Sequence, residues 1–219
     1  MSNQNFEGHY IQWREKRLNF LVKVLGKEFF KGKSVLEVGA GYGDIGNFFS
    51  FLGADVTCTD ARQEHLDVIK KRHPHIKTYL YDLDSREYPK GHENDQYDVV
   101  IHMGVMYHLI RSPESVIMRA VSRLKSGGTL ILESEIADSD DPFYVRRRVE
   151  SDAYDQSFSG KGNRPSAAYV ERVLSESSTF IRYDSEELNC TGHRYTWEVK
   201  NTGSARHGRR RFWIATKMA

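Results

Sequence analysis

The sequence predicts an α/β fold, a seven-stranded and mostly parallel sheet with helices on both faces. Three observations predict it. Short apolar runs alternate with helical periods from Ser34 to Glu135. The first run ends in a glycine turn, Gly39-Ala40-Gly41-Tyr42-Gly43. The chain has 219 residues, and its 39% of hydrophobic residues gather in blocks, enough for one core and one domain. That domain reads as N-terminal helices over 1–32, a ligand-binding half over 33–136, and a lid and substrate-side half over 137–219. Ligands of such sheets lie at the carboxyl ends of the strands, near the point where strand order reverses. Candidate residues are judged by that position.

From Phe6 to Phe30 the chain reads as one or two amphipathic helices. Ile11, Trp13, Leu18, Leu21, Val22 and Leu25 form the apolar side, with Arg14, Glu15, Lys16 and Arg17 on part of the opposite face. Ser34–Val38 is the first strand. Asp44–Leu52 is a helix, Asp55–Thr59 a strand, Arg62–Arg72 a helix, Thr78–Tyr81 and Tyr97–His102 strands. Pro113–Lys125 is a helix with proline at its favoured start. Gly127-Gly128 precedes the strand Thr129–Glu135. Ala137–Pro165 has no clean period, and its aromatic residues favour an ordered lid with a short helix at Tyr144–Val149. Ser166–Ser175 is a helix. Thr179–Tyr183 and Arg211–Thr216 complete seven strands, and the whole is Rossmann-like.

Composition excludes several classes. No apolar run approaches the roughly 18 residues that span a bilayer, and the first residues lack a secretory pattern, so a cytoplasmic setting is expected. Cys58 and Cys190 are too few for a disulfide framework or a zinc site. The histidines show no paired spacing with a carboxylate, and no metal is predicted. The net charge of +2 is the sum of −4 over residues 1–198 and +6 over 199–219. The basic end holds Arg206-His207-Gly208-Arg209-Arg210-Arg211. It reads as a solvated turn before an edge strand, or as a face for an anionic acceptor such as RNA.

The glycine turn separates two ligands. A dinucleotide site wants G-x-G-x-x-G, and here Asp44 holds the third glycine's place, a negative charge beside a would-be diphosphate. An NAD-dependent oxidoreductase is therefore the weaker reading. The spacing in Glu37-Val38-Gly39-Ala40-Gly41-Tyr42-Gly43 resembles motif I of the class I S-adenosylmethionine (SAM) methyltransferases. SAM is cationic at sulfur and at its amino group, so an acid at the strand end is an asset. The resemblance implies a cofactor site of Glu37, Gly39, Ala40, Gly41, Gly43, Asp60, Ala61, Asp82, Leu83 and Met103. Asp60 would take the ribose hydroxyls. Asp82, with Asp84 as its alternative, would border adenine.

Met103-Gly104-Val105-Met106-Tyr107-His108 followed by Arg111-Ser112-Pro113 resembles a narrower branch. It contains the enzymes that carboxymethylate the tRNA wobble uridine. Leu130-Ile131-Leu132-Glu133-Ser134 and Pro165-Ser166 are similar to its later segments, with weaker matches at Gln12-Trp13-Arg14 and Arg210…Ile214-Ala215. That branch uses carboxy-SAM and meets its carboxylate with a Tyr, a Lys and an Arg. Tyr107 and Arg210 match two of these, and the Lys belongs to a segment upstream of the matched stretch.

The function expected is methyl transfer from SAM, leaving S-adenosylhomocysteine, to an O or N acceptor of small-molecule size. A tRNA carboxymethyl or methyl transferase, or a non-catalytic RNA-binding module on the same fold, is the alternative. His108 is the candidate base and Tyr107 the candidate positioning group; both have bland readings as packing around the cofactor. Glu133 and Glu135 are assigned opposite sides of the sheet, one facing the cleft. His102 is read as a core hydrogen-bonding residue. Tyr144, Tyr154 and Arg210 are the chosen acceptor contacts, with Arg147, Arg148, Gln156, His193, Arg194 and Tyr195 as further candidates.

Overall fold

The computed structural model describes residues 9–149, 157, 159–184 and 210–219. Helix α1 (His9–Leu25) and a 3-10 turn (Lys27–Phe30) lead into β1 (Ser34–Val38). Then come α2 (Asp44–Phe51), β2 (Asp55–Asp60), α3 (Gln63–Arg72), β3 (Lys77–Leu80), β4 (Tyr97–Met103) and a second 3-10 turn (Met106–His108). The remainder is α4 (Pro113–Ser122), β5 (Leu124–Glu135), β6 (Val145–Val149), β7 (Lys161–Pro165), α5 (Ala167–Ser175), β8 (Ser178–Asp184) and β9 (Arg210–Lys217).

The main sheet has seven strands in the order β3-β2-β1-β4-β5-β9-β8. Its left five strands are parallel, and only β9 runs against its neighbours. Order reverses between β1 and β4, which places the switch point beside the glycine turn. Alternation along the strands divides the core. Val35, Ile101, Ile131 and Phe212 pack with α1, α2 and α3 on one face, through Leu21, Phe49 and Ile69. Leu36, Val100, Leu132 and Trp213 pack with α4 and α5 on the other, through Ile117 and Val173. Among the described residues no helix is long and apolar enough to cross a membrane.

Three details differ from the sequence reading. The Tyr144–Val149 helix is a strand: β6 pairs antiparallel with β7, from Val145 opposite Pro165 to Val149 opposite Lys161. The arginine run favours a helix locally, and cross-strand pairing overrides it. Helix α4 stops at Ser122 rather than Lys125, because Leu124 already pairs with Tyr97 of β4. The last strand is interior, between β5 and β8, not an edge.

Candidate functional site

The turn after β1 is built from three left-handed glycines, Gly39 (φ 65°), Gly41 (φ 56°) and Gly43 (φ 75°). An L side chain is strained there. A Cβ at Gly39 would also lie 2.5 Å from Val105 Cγ2. The turn is pinned from β2: Ala40 N donates to the Thr59 carbonyl at 2.9 Å and Gly41 N to Asp60 Oδ2 at 2.9 Å. Asp60 is buried, and its Oδ1 also takes Arg62 N at 3.0 Å and meets His65 Nδ1 at 3.1 Å. These contacts hold its carboxylate at the mouth of the cleft.

Glu37 is buried at the end of β1. Its Oε2 accepts from Gly46 N at 2.8 Å and from the Cys58 thiol at 3.3 Å. Burial lifts its carboxyl to about 7, against the lowering by those two donors. Gly46, in the first turn of α2, must be glycine for this contact. A Cβ there would sit 2.5 Å from Cys58 Sγ and 2.7 Å from Glu37 Oε2. The glycine gives α2 its close approach to β1 and β2.

Beyond β3, the two aspartates separate by their partners. Asp84 accepts from Ile110 N (3.1 Å) and Arg111 N (2.9 Å), tying this loop to the segment after β4. Asp82 accepts from the local Asp84 N at 2.8 Å. Arg111 reaches back to the Asp84 carbonyl at 3.2 Å, and Ser112 caps α4 through Ser115 N at 3.2 Å. The Arg111-Ser112-Pro113 stretch is therefore the brace of the loop that carries Tyr107 and His108.

All these elements meet in one solvent-open cleft. Glu37, Gly39, Ala40, Gly41, Asp60, Ala61, Asp82, Leu83, Met103 and His108 line it, as does Asp84. Gly43 shapes the turn as the residue before α2. Arg14 and Arg17 also line the cleft, and the sequence reading had placed both on the polar face of the first helix. Arg14 pairs with Asp44 at the start of α2. The donor set suits a zwitterionic nucleoside: carboxylates for an ammonium and a ribose, guanidinium groups for a carboxylate, and Leu83, Met103, Val105 and Leu109 for a flat base.

Beside the cleft lies a buried ionic chain. Arg17 Nη1 meets Glu133 Oε2 at 3.1 Å, Arg210 Nη1 meets Glu133 Oε1 at 2.8 Å, and Arg210 Nη2 donates to the Tyr107 hydroxyl at 2.6 Å. Arg210, expected as an acceptor contact within a stretch also read as a solvated turn, is 1% exposed and engaged by Glu133. Tyr107 is itself buried and does not line the cleft. Glu133 and Glu135 do not face opposite sides. They are two apart on a strand and share a face; Glu135 is held by Arg164 at 2.7 Å. His102 is fully buried, and among the described residues neither ring nitrogen has a hydrogen-bond partner, so the core hydrogen bond expected of it is not seen there. Burial lowers its pKa to about 4. Tyr144 is 39% exposed outside the cleft lining. Tyr154, Gln156, His193, Arg194, Tyr195 and Arg206 to Arg209 lie outside the described residues. The described residues hold no group of three or more potential metal ligands.

Comparison with known proteins adds to this geometry. Residues 36–130 match the family model of a methyltransferase domain. That stretch is similar to a methyltransferase domain. The ubiquinone biosynthesis O-methyltransferase of Shewanella halifaxensis is 34% identical to it over 113 residues, 51% of this chain and 47% of the relative. The tRNA U34 carboxymethyltransferase of Aliivibrio fischeri is 32% identical over 118 residues, 51% of this chain and 35% of the relative. The chain thus spans about half the length, or less, of these relatives. The N-terminal domain of EvdMO1, solved with S-adenosylhomocysteine bound, superposes with a TM-score of 0.67 at 14% identity. It covers 94% of this chain, and 81% of that chain is covered. The chain therefore has the Rossmann-like fold of that structure. The matched residues run from Leu36 in β1 to Leu130 in β5 and so include the glycine turn, Asp60, Asp82 and His108.

Proposed function

We propose that this chain is a SAM-dependent methyltransferase that acts on an O or N acceptor of small-molecule size. The observation that carries the reading is the cleft at the switch point, where Glu37, Asp60 and Asp82 converge with the glycine turn and the arginines of α1. Bound SAM supplies a methyl group on an already activated sulfonium. The chain's part is to bind, orient and deprotonate. Asp60, fixed by Gly41 N, presents its carboxylate to ribose hydroxyls. Asp82 and Leu83 border the base, Glu37 faces the ammonium end, and Arg14 and Arg17 face the carboxylate. Met103 forms the floor at the end of β4. His108, on the cleft wall, takes the acceptor proton. Tyr107 backs it, its ring centroid 4.0 Å from that of the imidazole. A cytoplasmic setting suits the free, buried Cys58 thiol.

The test is thermal. S-adenosylhomocysteine should raise the melting temperature by linkage of binding to folding, and no shift at millimolar ligand would sink the reading. The Tyr107–Arg210 contact favours a second reading, carboxymethyl transfer to RNA. The same titration separates them, since only that reading has carboxy-SAM bind more tightly than SAM.

The pH behaviour follows from two buried groups. Glu37 holds its proton up to about 7, so its contribution to stability is full below 4.5 and is lost as pH rises towards 7. His102, lowered to about 4, contributes stability above 6.5 that is lost as pH falls towards 4. Their slopes oppose between 4.5 and 6.5. Glu37→Gln removes one of them, so the variant should lose stability on acidification more steeply than the parent, read from denaturant midpoints. A cationic ligand favours ionised Glu37, so SAM affinity should rise as pH passes 7 and binding should release a proton. A parent affinity flat across that range would contradict this role for Glu37.

A further inference from the structure

His108 stands on the cleft wall at the end of a 3-10 turn three residues long. So short a turn has poor hydrogen-bond geometry and little rigidity of its own. Inside it, His108 N donates to the Val105 carbonyl at 2.9 Å and Leu109 N to the Met106 carbonyl at 3.2 Å. The chain enters through left-handed Gly104 (φ 76°) and leaves in extended backbone at Leu109. The pose of the imidazole therefore depends on what grips this backbone from outside.

Strand β7 grips it with two consecutive residues. A Cβ at Gly162 would stand 2.0 Å from the Tyr107 carbonyl oxygen and 3.3 Å from His108 Cα, so the bare backbone of β7 lies directly against the turn. Beside it, buried Asn163 donates from Nδ2 to the Ile110 carbonyl at 2.9 Å and to the Arg111 carbonyl at 3.0 Å. A primary amide carries two N–H groups on one nitrogen, the donor set that two consecutive carbonyls need. In the hairpin, Arg147 of β6 pairs with Asn163 and Arg148 with Gly162. The N–H groups of the same two residues go elsewhere: Ile110 N at 3.1 Å and Arg111 N at 2.9 Å both donate to Asp84, which lines the cleft. Both donors and both carbonyls of Ile110-Arg111 are thus committed to side chains distant in sequence. The Ile110 side chain is 52% exposed, so its own packing contributes little to fixing the segment.

We propose that Asn163 is a positioning residue for His108, which holds the Ile110-Arg111 peptide on β7 and so sets where the imidazole stands in the cleft. This rests on the methyltransferase reading above, in which His108 takes the acceptor proton. A general base must stand within hydrogen-bond reach of the proton it removes. Loosening the backbone two residues away therefore costs His108 its placement and leaves its chemistry intact. Asp84 is the counter-grip from the cofactor side, and Gly162 is the close approach that brings Asn163 into range.

The test is magnetic resonance on the full chain labelled at histidine, and it needs no acceptor. The imidazole signals of His108 and His65 are assigned by their loss in His108→Gln and His65→Gln. Both residues line the cleft, and His65 serves as the internal control beside Asp60. In Asn163→Ala and in Asn163→Leu, which keeps the bulk but has no donor, the His108 signal should shift and broaden in the ligand-free protein. Its further shift on adding S-adenosylhomocysteine should also differ from the parent's. The His65 signal, its response to the ligand and the affinity for S-adenosylhomocysteine should match the parent's. Should neither variant fold, Asn163→Ser, which keeps one donor, carries the same comparison. An unchanged His108 signal would overturn the proposal. Equal changes at His65 and His108, or a loss of S-adenosylhomocysteine affinity, would overturn it too and make Asn163 a general brace of the domain. Failure of S-adenosylhomocysteine to bind the parent would instead remove the methyltransferase reading, while the ligand-free His108 signal would still decide whether Asn163 places that side chain.

Discussion

Glu133→Gln is expected to cost about 3–5 kcal/mol of stability, the range for removing one partner of a buried ion pair. Glu133 is fully buried, and each of its oxygens is committed, Oε1 to Arg210 and Oε2 to Arg17. Glutamine keeps the shape but removes the charge, and its amide presents a donor to one of two guanidinium groups. Two buried cations then lose the carboxylate they share. For a domain of this size a loss of 1 kcal/mol lowers the melting temperature by roughly 2–4 °C, so a fall on the order of 10 °C is expected. Arg17→Met should cost less, because Glu133 keeps Arg210. Glu133→Gln should also loosen Tyr107, whose hydroxyl is anchored by the Arg210 guanidinium. A loss under about 1 kcal/mol in Glu133→Gln would show that the pair is not the internal brace described here.

Much of the fold and of the cleft lining was legible because local signals agreed. The change of period at Ser34, the glycines at 39, 41 and 43 and the acids at the ends of β1, β2 and β3 belong to short segments whose chemistry is local. What stayed hidden depends on partners distant in sequence. Arg14 and Arg17 lie in the cleft, and a signal for them existed: Arg14, Arg17, Leu18 and Leu21 are spaced by three and four, so they lie along one side of α1. Charge alone had assigned the arginines to solvent. The same assumption misplaced Arg210, which is buried because Glu133 awaits it on the adjacent strand. Strand period alone could have put Glu133 and Glu135 on one face. Nothing local marks β6 as a strand, since its three arginines favour a helix until β7 pairs with it.

Gly39→Ala is the second large effect, and its cause can be split. At φ 65° an alanine pays roughly 1–2 kcal/mol for the left-handed backbone. Its Cβ would also stand 2.5 Å from Val105 Cγ2, and such overpacking costs about 1–3 kcal/mol. The turn cannot move away freely, because Ala40 N and Gly41 N are tied to Thr59 and Asp60 of β2. Relief therefore falls on the Val105 side, on the loop that leads to His108. With roughly 1.4 kcal/mol per factor of ten, S-adenosylhomocysteine affinity should fall by about 30-fold or more, measured by calorimetric titration. Adding Val105→Ala removes both Cγ atoms and with them the clash, but leaves the backbone strain. The double variant should recover part of the affinity and no more. Full recovery would mean that the left-handed conformation of Gly39 is unimportant. No recovery would mean that the strain lies in the backbone alone, and either result would revise the account of why the turn after β1 needs glycine at that position.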